Sequence, residues 1–161
     1  MPARGAAISN DTGARRKNEL GALDDLVGYH LRRASSVAGA DLSRALAGTG
    51  MRQVLLGILS VIAARPAINQ GSVGRLLGIQ RANMVSLVTE LVERGLVRRE
   101  LSIDDRRAFA LTLTGEGEAL LADCLDRIHR QEAAMLEGFS NAERATLLAL
   151  LSRIEAQEQP L

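Results

Sequence analysis

Residues 69–114 constrain this chain more than any other stretch. Asn69-Gln70-Gly71-Ser72 suits a helix start, because the Asn69 side chain can accept from one of the backbone N–H groups a first turn leaves unpaired. Val73, Leu76 and Leu77 follow at helical spacing, and Gly78 stands where a left-handed residue ends a helix. Ile79 is placed to plug the core as the chain turns. Residues 80–93 then read as a second helix with Met84, Leu87, Val88, Leu91 and Val92 on one face, stopped by Gly95. Two strand-like runs come next, 96–101 and 109–113, and in the second Phe109, Leu111 and Leu113 alternate inward. A charged tip, residues 102–107, joins them into a hairpin.

Helix, tight turn, helix and basic-tipped hairpin make a winged helix-turn-helix: a helix fits the major groove of DNA, and a thin ribbon reaches the backbone and the adjoining minor groove. The second helix would present Gln80, Arg81, Asn83 and Ser86 to the groove, with Ala82 and Val85 beside them. Gln and Asn pair bidentately with adenine, Arg with guanine, and apolar groups meet thymine methyls. In the bland alternative Gln80 is a helix cap and Arg81 a solvated first-turn residue; the hairpin that follows favours the DNA reading. Gly74 falls where the two helices cross, so a larger residue should force them apart. Arg106 and Arg107 at the tip should approach phosphates and sense minor-groove width.

Charge supports this placement. The net charge of +1 points to no partner, but residues 51–113 hold nine arginines against five acids, and residues 114–161 four against nine. A protein that docks one end on phosphates needs such a division. Lys17 is the one lysine, and an arginine bias fits either two-pronged phosphate contacts or a GC-rich genome.

The remaining chain should be helical. Aromatic residues make up only 2% and Trp is absent, so the core must be built from Leu, Val, Ile and Ala, which favours helix-on-helix packing. Residues 1–18 lack apolar periodicity and read as a mobile tail whose Arg15-Arg16-Lys17 is a solvated arm or a DNA contact. A helix is expected over 19–47 with a break at Gly39, and another over 51–64 ended by Pro66. On the first, His30 is either a core histidine bonded to a carbonyl or a ligand contact, and Tyr29 with Arg33 could hold an aromatic carboxylate. Thr114 can cap the next helix, whose stripe runs Leu120, Leu121, Cys124, Leu125, Ile128, Met135, Leu136 and Phe139. Ser140 and Glu143 form a capping box for a last helix bearing Leu147, Leu148, Leu150, Leu151 and Ile154. Helices this apolar outside the reading lobe need a partner surface, as in a two-fold dimer.

Several classes are disfavoured. Cys124 is the single cysteine and lies among leucines, so packing is expected of it rather than redox sensing, and no disulfide can form within the chain. His30 and His129 lie far apart; no metal site, catalytic set, phosphate-cradling loop or cofactor is expected. No apolar run reaches the roughly 20 residues that span a bilayer, and no secretory signal is visible, so a cytoplasmic location without membrane contact is expected.

Gly95-Leu96-Val97 followed by Arg99, then Asp105-Arg106-Arg107, then Leu113-Thr114-Gly115-Glu116-Gly117, resembles the MarR family of bacterial transcriptional regulators. The resemblance extends from Leu20 to Ile154. It implies a mostly α fold with a small β-wing: a tail at 1–18, a helical dimerisation region at 19–50 and 114–161, and a winged helix-turn-helix lobe at 51–113. It further implies a homodimer on a pseudo-palindromic operator of double-stranded DNA, more often repressing, and released by a small-molecule effector such as an aromatic carboxylate or its CoA thioester. A ligand-independent DNA-binding or architectural protein of the same fold is the competing reading. By the family pattern Asp105 braces the wing through a partner such as Arg99 or Arg107, and the first helix, with Tyr29, His30 and Arg33, borders the effector cavity. Two departures stand out: Gln53 where the family commonly has a large aromatic, and Ser86 where it often has Arg or Thr.

Overall fold

The structure is a computed structural model and describes residues 20–101 and 109–157. Two compact units are distinguished, Met1–Gly39 and Ala40–Leu161. A 3-10 turn at Gly21–Leu23 precedes helix α1 (Val27–Ala45). The helix therefore starts eight residues later than the expected residue 19, and the expected break at Gly39 does not occur. A mid-helix glycine costs about 1 kcal/mol relative to alanine. Ala38, Ala40 and Leu42 around it are good helix formers, and that is enough to carry the helix through.

The second unit is built around α2 (Gln53–Ala64). Leu55, Ile58, Leu59 and Ile62 on it are essentially inaccessible, and Leu56 is buried too. Ala67 turns the chain in the left-handed region (φ 66°), and its N–H donates to the Leu111 carbonyl. The two-residue strand β1 (Ile68–Asn69) follows, then α3 (Gln70–Leu76) and α4 (Arg81–Glu93). Asn69 Oδ1 accepts the Ser72 N–H at 2.9 Å, as a cap should. Gly78 (φ 63°) makes the turn, and the Ile79 N–H donates to the Gly74 carbonyl at 2.8 Å.

Strands β2 (Val97–Leu101) and β3 (Phe109–Leu113) pair antiparallel, and β1 adds to the far edge of β3, giving the order β1-β3-β2. The hairpin was expected; the third strand, only two residues long, was not. Val73, Met84, Val88, Leu91, Leu96, Val97 and Leu111 pack with α2 and with Leu121 and Cys124 of α5 (Gly115–Met135) in one core. Three lobe positions assigned inward are exposed, Leu76 and Val92 at the edges of their helices and Phe109 at the start of β3, while Leu77, Ile79, Leu87 and Leu113 are half-buried.

Thr114 ties α5 to the sheet. Its hydroxyl donates to the Gly95 carbonyl at 2.6 Å and accepts the Gly117 N–H at 3.0 Å, while its own N–H donates to the Leu96 carbonyl. The helix start is pressed so closely on the residue before β2 that a Cβ on Gly117 would overlap the Leu96 carbonyl oxygen. Helix α6 (Asn141–Glu155) opens with the expected capping box: Ser140 Oγ accepts the Glu143 N–H, and the Glu143 carboxylate accepts the Ser140 N–H at 2.8 Å. No residue of α6 is buried.

Candidate nucleic-acid interface

Helix α4 is amphipathic across its short axis. Met84, Val88 and Leu91 are buried, whereas Gln80, Arg81, Ala82, Asn83, Val85 and Ser86 are all exposed. The predicted reading residues thus share the outer side of its first turns. Gln80 holds the N-cap position with no side-chain capping bond, so its amide is not consumed by the helix. The Ser86 hydroxyl donates to the Asn83 carbonyl at 2.9 Å, which leaves its oxygen as an acceptor. Gly74 is buried against this helix: a Cβ there would lie 3.0 Å from Met84 Cγ and 3.1 Å from the Ile79 carbonyl oxygen. The close crossing inferred from sequence is present.

Arg75 on α3, which the sequence reading passed over, is also exposed and donates to Ser72 Oγ at 2.8 Å. Its signal was available, since it follows Ser72 by three residues, one helical turn along the polar side. Asp105, Arg106 and Arg107 lie outside the described residues. Arg99, assigned to bracing them, stacks its guanidinium on the Phe109 ring at 4.0 Å, diagonally across the hairpin.

The far end of α4 is held by charge. Glu90 receives Arg52 on one carboxylate oxygen and Arg94 on the other, the latter at 3.7 Å. Arg94 also donates to the Gly50 carbonyl at 2.9 Å. Neither Arg52 nor Glu90 was singled out from sequence, because they are 38 residues apart. Only the spacing of Glu90 and Arg94, four apart on one helix, was visible there.

On α1, Tyr29 and Arg33 do come together, with the guanidinium carbon 5.8 Å from the ring centroid, and Arg32 sits at 5.7 Å. His30 meets the Tyr29 ring edge-on at 5.6 Å and donates from Nε2 to the Asp24 carbonyl at 2.9 Å. It is an exposed histidine bonded to a carbonyl, not a core one. The shallow groove of about 310 Å³ beside it is lined by Asp24, Asp25, Val27, His30, Leu31 and Ala34, without Tyr29 or Arg33. A cavity of about 460 Å³ lies instead at the turn between α1 and α2, where Leu42, Leu46 and Met51 face Ser43, Arg52 and Gln53.

Cys124 is fully buried. Burial raises its thiol pKa, and the hydrogen bond to Thr49 opposes that only in part. A protonated, enclosed thiol is a packing group. Among the described residues no cluster of His, Cys, Asp and Glu could hold a metal ion, and no helix is long and apolar enough to cross a membrane.

Two short helices crossing at a glycine, a capped third element and a three-stranded wing base define a winged helix-turn-helix protein. Comparison with known proteins narrows this class. Residues 52–108 match the model of the MarR family. A protein of Thauera aromatica, named as a transcriptional regulatory protein for the hcr operon, is 34% identical over 139 residues, covering 86% of this chain and 84% of that one. The transcriptional repressor CouR bound to a 23-mer DNA duplex superposes with a TM-score of 0.80 at 33% identity, over 85% of this chain and 97% of CouR. CouR from Rhodococcus jostii RHA1 bound to p-coumaroyl-CoA gives 0.76 at 29% identity, over 86% and 98%. The chain belongs to the MarR family and is a transcriptional regulator rather than an enzyme.

Proposed function

We propose that the chain works as a homodimer that sets two copies of α4 into successive major grooves of a pseudo-palindromic operator, represses from there, and is released by an aromatic carboxylate or its CoA thioester. The observation that carries this reading is the outer side of α4: Gln80, Arg81, Asn83 and Ser86 are exposed together while Met84 and Val88 anchor the opposite side. Two-fold symmetry would put the half-sites roughly 10 base pairs apart or a multiple of that. Arg106 and Arg107 would add phosphate and minor-groove contacts, with Asp105 and Arg99 shaping the wing. The dimer reading is supported by the apolar residues that one chain leaves exposed: Met135 and Phe139 at the end of α5, and Leu147, Leu148, Leu150 and Ile154 on α6.

Support for the effector comes from two places. Tyr29, His30 and Arg33 cluster on one turn of α1, offering a ring and a cation to an aromatic acid. The cavity at the α1–α2 turn offers an apolar wall with Arg52 at its edge. CouR, to which the chain is similar, has been solved with DNA and with p-coumaroyl-CoA, and both ligand classes carry over to this proposal. A ligand shifts DNA binding only by its differential affinity for the two arrangements of the dimer.

Selection of bound fragments from genomic DNA, followed by anisotropy titration, tests the reading. Arg81→Ala or Asn83→Ala should weaken operator binding by about 1–3 kcal/mol each, and Arg107→Ala should lower the salt slope by about 1. Aromatic acids and acyl-CoAs should give a saturable rise in melting temperature. A stable monomer that ignores duplex DNA at low salt would overturn the proposal. A dimer that binds DNA but shows no such rise would favour the ligand-independent alternative.

A further inference from the structure

Arg52 stands at the N-cap of α2, a position that favours Ser, Thr, Asp or Asn and disfavours positive charge. It makes no capping bond there. Its guanidinium instead crosses to Glu90 in the last turn of α4. Arg94, the C-cap of α4, takes the other oxygen of the same carboxylate and the carbonyl of Gly50, two residues before Arg52. Glu90 is thus held by two cations, one on each carboxylate oxygen, and residues 50–52 are bonded to the end of α4 at two points. A residue that harms its own helix start yet completes a charge cluster elsewhere is explained by the cluster.

The cluster also fills a mechanical gap. The first half of α4 is fixed by the crossing at Gly74 and by Met84, which is buried there. Towards its end, Leu91 is buried but Val92 and Glu93 are exposed, and this cluster is a polar anchor for the outer edge of the last turn. We infer that Arg52, Glu90 and Arg94 are positioning residues for DNA recognition: they clamp the C-terminal turn of α4 to the start of α2 and so fix the angle at which its N-terminal residues enter the groove. The inference rests on α4 being the recognition helix. Loosening the clamp leaves an ordering cost to be met on binding.

The sign of one substitution separates this role from simple electrostatics. Removing an acid near DNA ordinarily strengthens binding, because a repelled phosphate is relieved. Glu90→Gln should here weaken operator affinity by about fivefold per half-site, the upper range for a solvent-accessible ion pair. Arg52→Ala should weaken it similarly with an unchanged salt slope, and the double variant should lose no more than either single one. Melting curves establish that each variant is folded. Tighter or unaltered binding by Glu90→Gln overturns the clamp. So does a fall of about 1 in the salt slope for Arg52→Ala, which would make Arg52 a phosphate contact. Multiplicative losses in the double variant overturn it as well. Arg81→Ala runs beside these: native affinity in that variant would sink the recognition-helix reading itself, whatever the clamp variants do.

Discussion

Leu55, Leu59 and Leu91 are completely buried, whereas Leu148 and Leu150 of α6 are 67% and 48% exposed. The two regions are equally rich in leucine, but they complete their packing differently. Around α2, contacts arrive from α3, α4, the sheet and the front of α5, so one chain encloses the core by itself. At the end of α5 and along α6, the apolar side chains Met135, Phe139, Leu147, Leu148, Leu150 and Ile154 are left exposed among the described residues. Apolar surface removed from water stabilises by roughly 25 cal/mol per Å², and α6 forgoes most of that until another surface covers it. The winged-helix lobe is therefore self-sufficient, whereas the helical end gains its remaining stability only where another surface covers it.

The same substitution made in each region should break or sharpen that contrast most strongly. Leu59→Ala should destabilise by about 4 kcal/mol at every protein concentration, as expected for a cavity in a filled core. Leu150→Ala should change the unfolding of a dissociated chain by less than about 0.5 kcal/mol. Its effect should grow as concentration rises and dimers form, because a partner's contribution enters by mass action. Urea denaturation at several concentrations reads both. A large, concentration-independent loss for Leu150→Ala would mean that α6 is covered within its own chain.

Next in size is Gly117→Ala, at the join between the two regions. The added Cβ overlaps the Leu96 carbonyl, a backbone atom that cannot rotate away, so the first turn of α5 must shift and loosen the Thr114 cap. A loss of about 3 kcal/mol is expected. Gly74→Ala should lose less, about 1–2 kcal/mol, since Met84 can yield and only the Ile79 carbonyl resists. Melting temperatures should fall in that order, and a reversed order would show that the α3–α4 crossing, not the α5 join, is the tighter contact.

What was legible in the sequence was local. Asn69, Gly78, Gly95, the Thr114 cap on Gly117 and the Ser140–Glu143 box each act within four residues, so their types and spacing carry the information directly. The outer side of α4 was legible for the same reason: half a helical turn separates it from the face that carries Met84 and Val88. Long-range pairing was not. Strand β1 is two residues whose only reason to be extended is β3, more than 40 positions away. Arg52 and Glu90 look like unrelated surface charges until α2 and α4 are side by side. Leu76, Val92 and Phe109 satisfy their periodicities yet fall at the rim, because a period gives the direction of a face and not how far its cover extends.

The smallest effect expected lies at the start of α6, where cover is thinnest. The Ser140 side chain and backbone both bond to the Glu143 carboxylate, and these bonds lower its pKa below the usual glutamate value. A group whose folded pKa is depressed lends stability that is fully present above its unfolded value, near pH 4.3 by the usual reference, and lost as pH falls through the folded one. The first turn of α6 should accordingly fray as pH falls through and below that window, with faster amide exchange at Asn141 and Ala142. Ser140→Ala should bring the Glu143 titration, followed by NMR, back up toward the ordinary glutamate range and remove the extra fraying step. Because Glu143 is solvent-exposed, the change should stay confined to this helix end and leave the unfolding of the buried core unmoved. A matching acid transition in the core would mean that the two regions are coupled more tightly than their packing suggests.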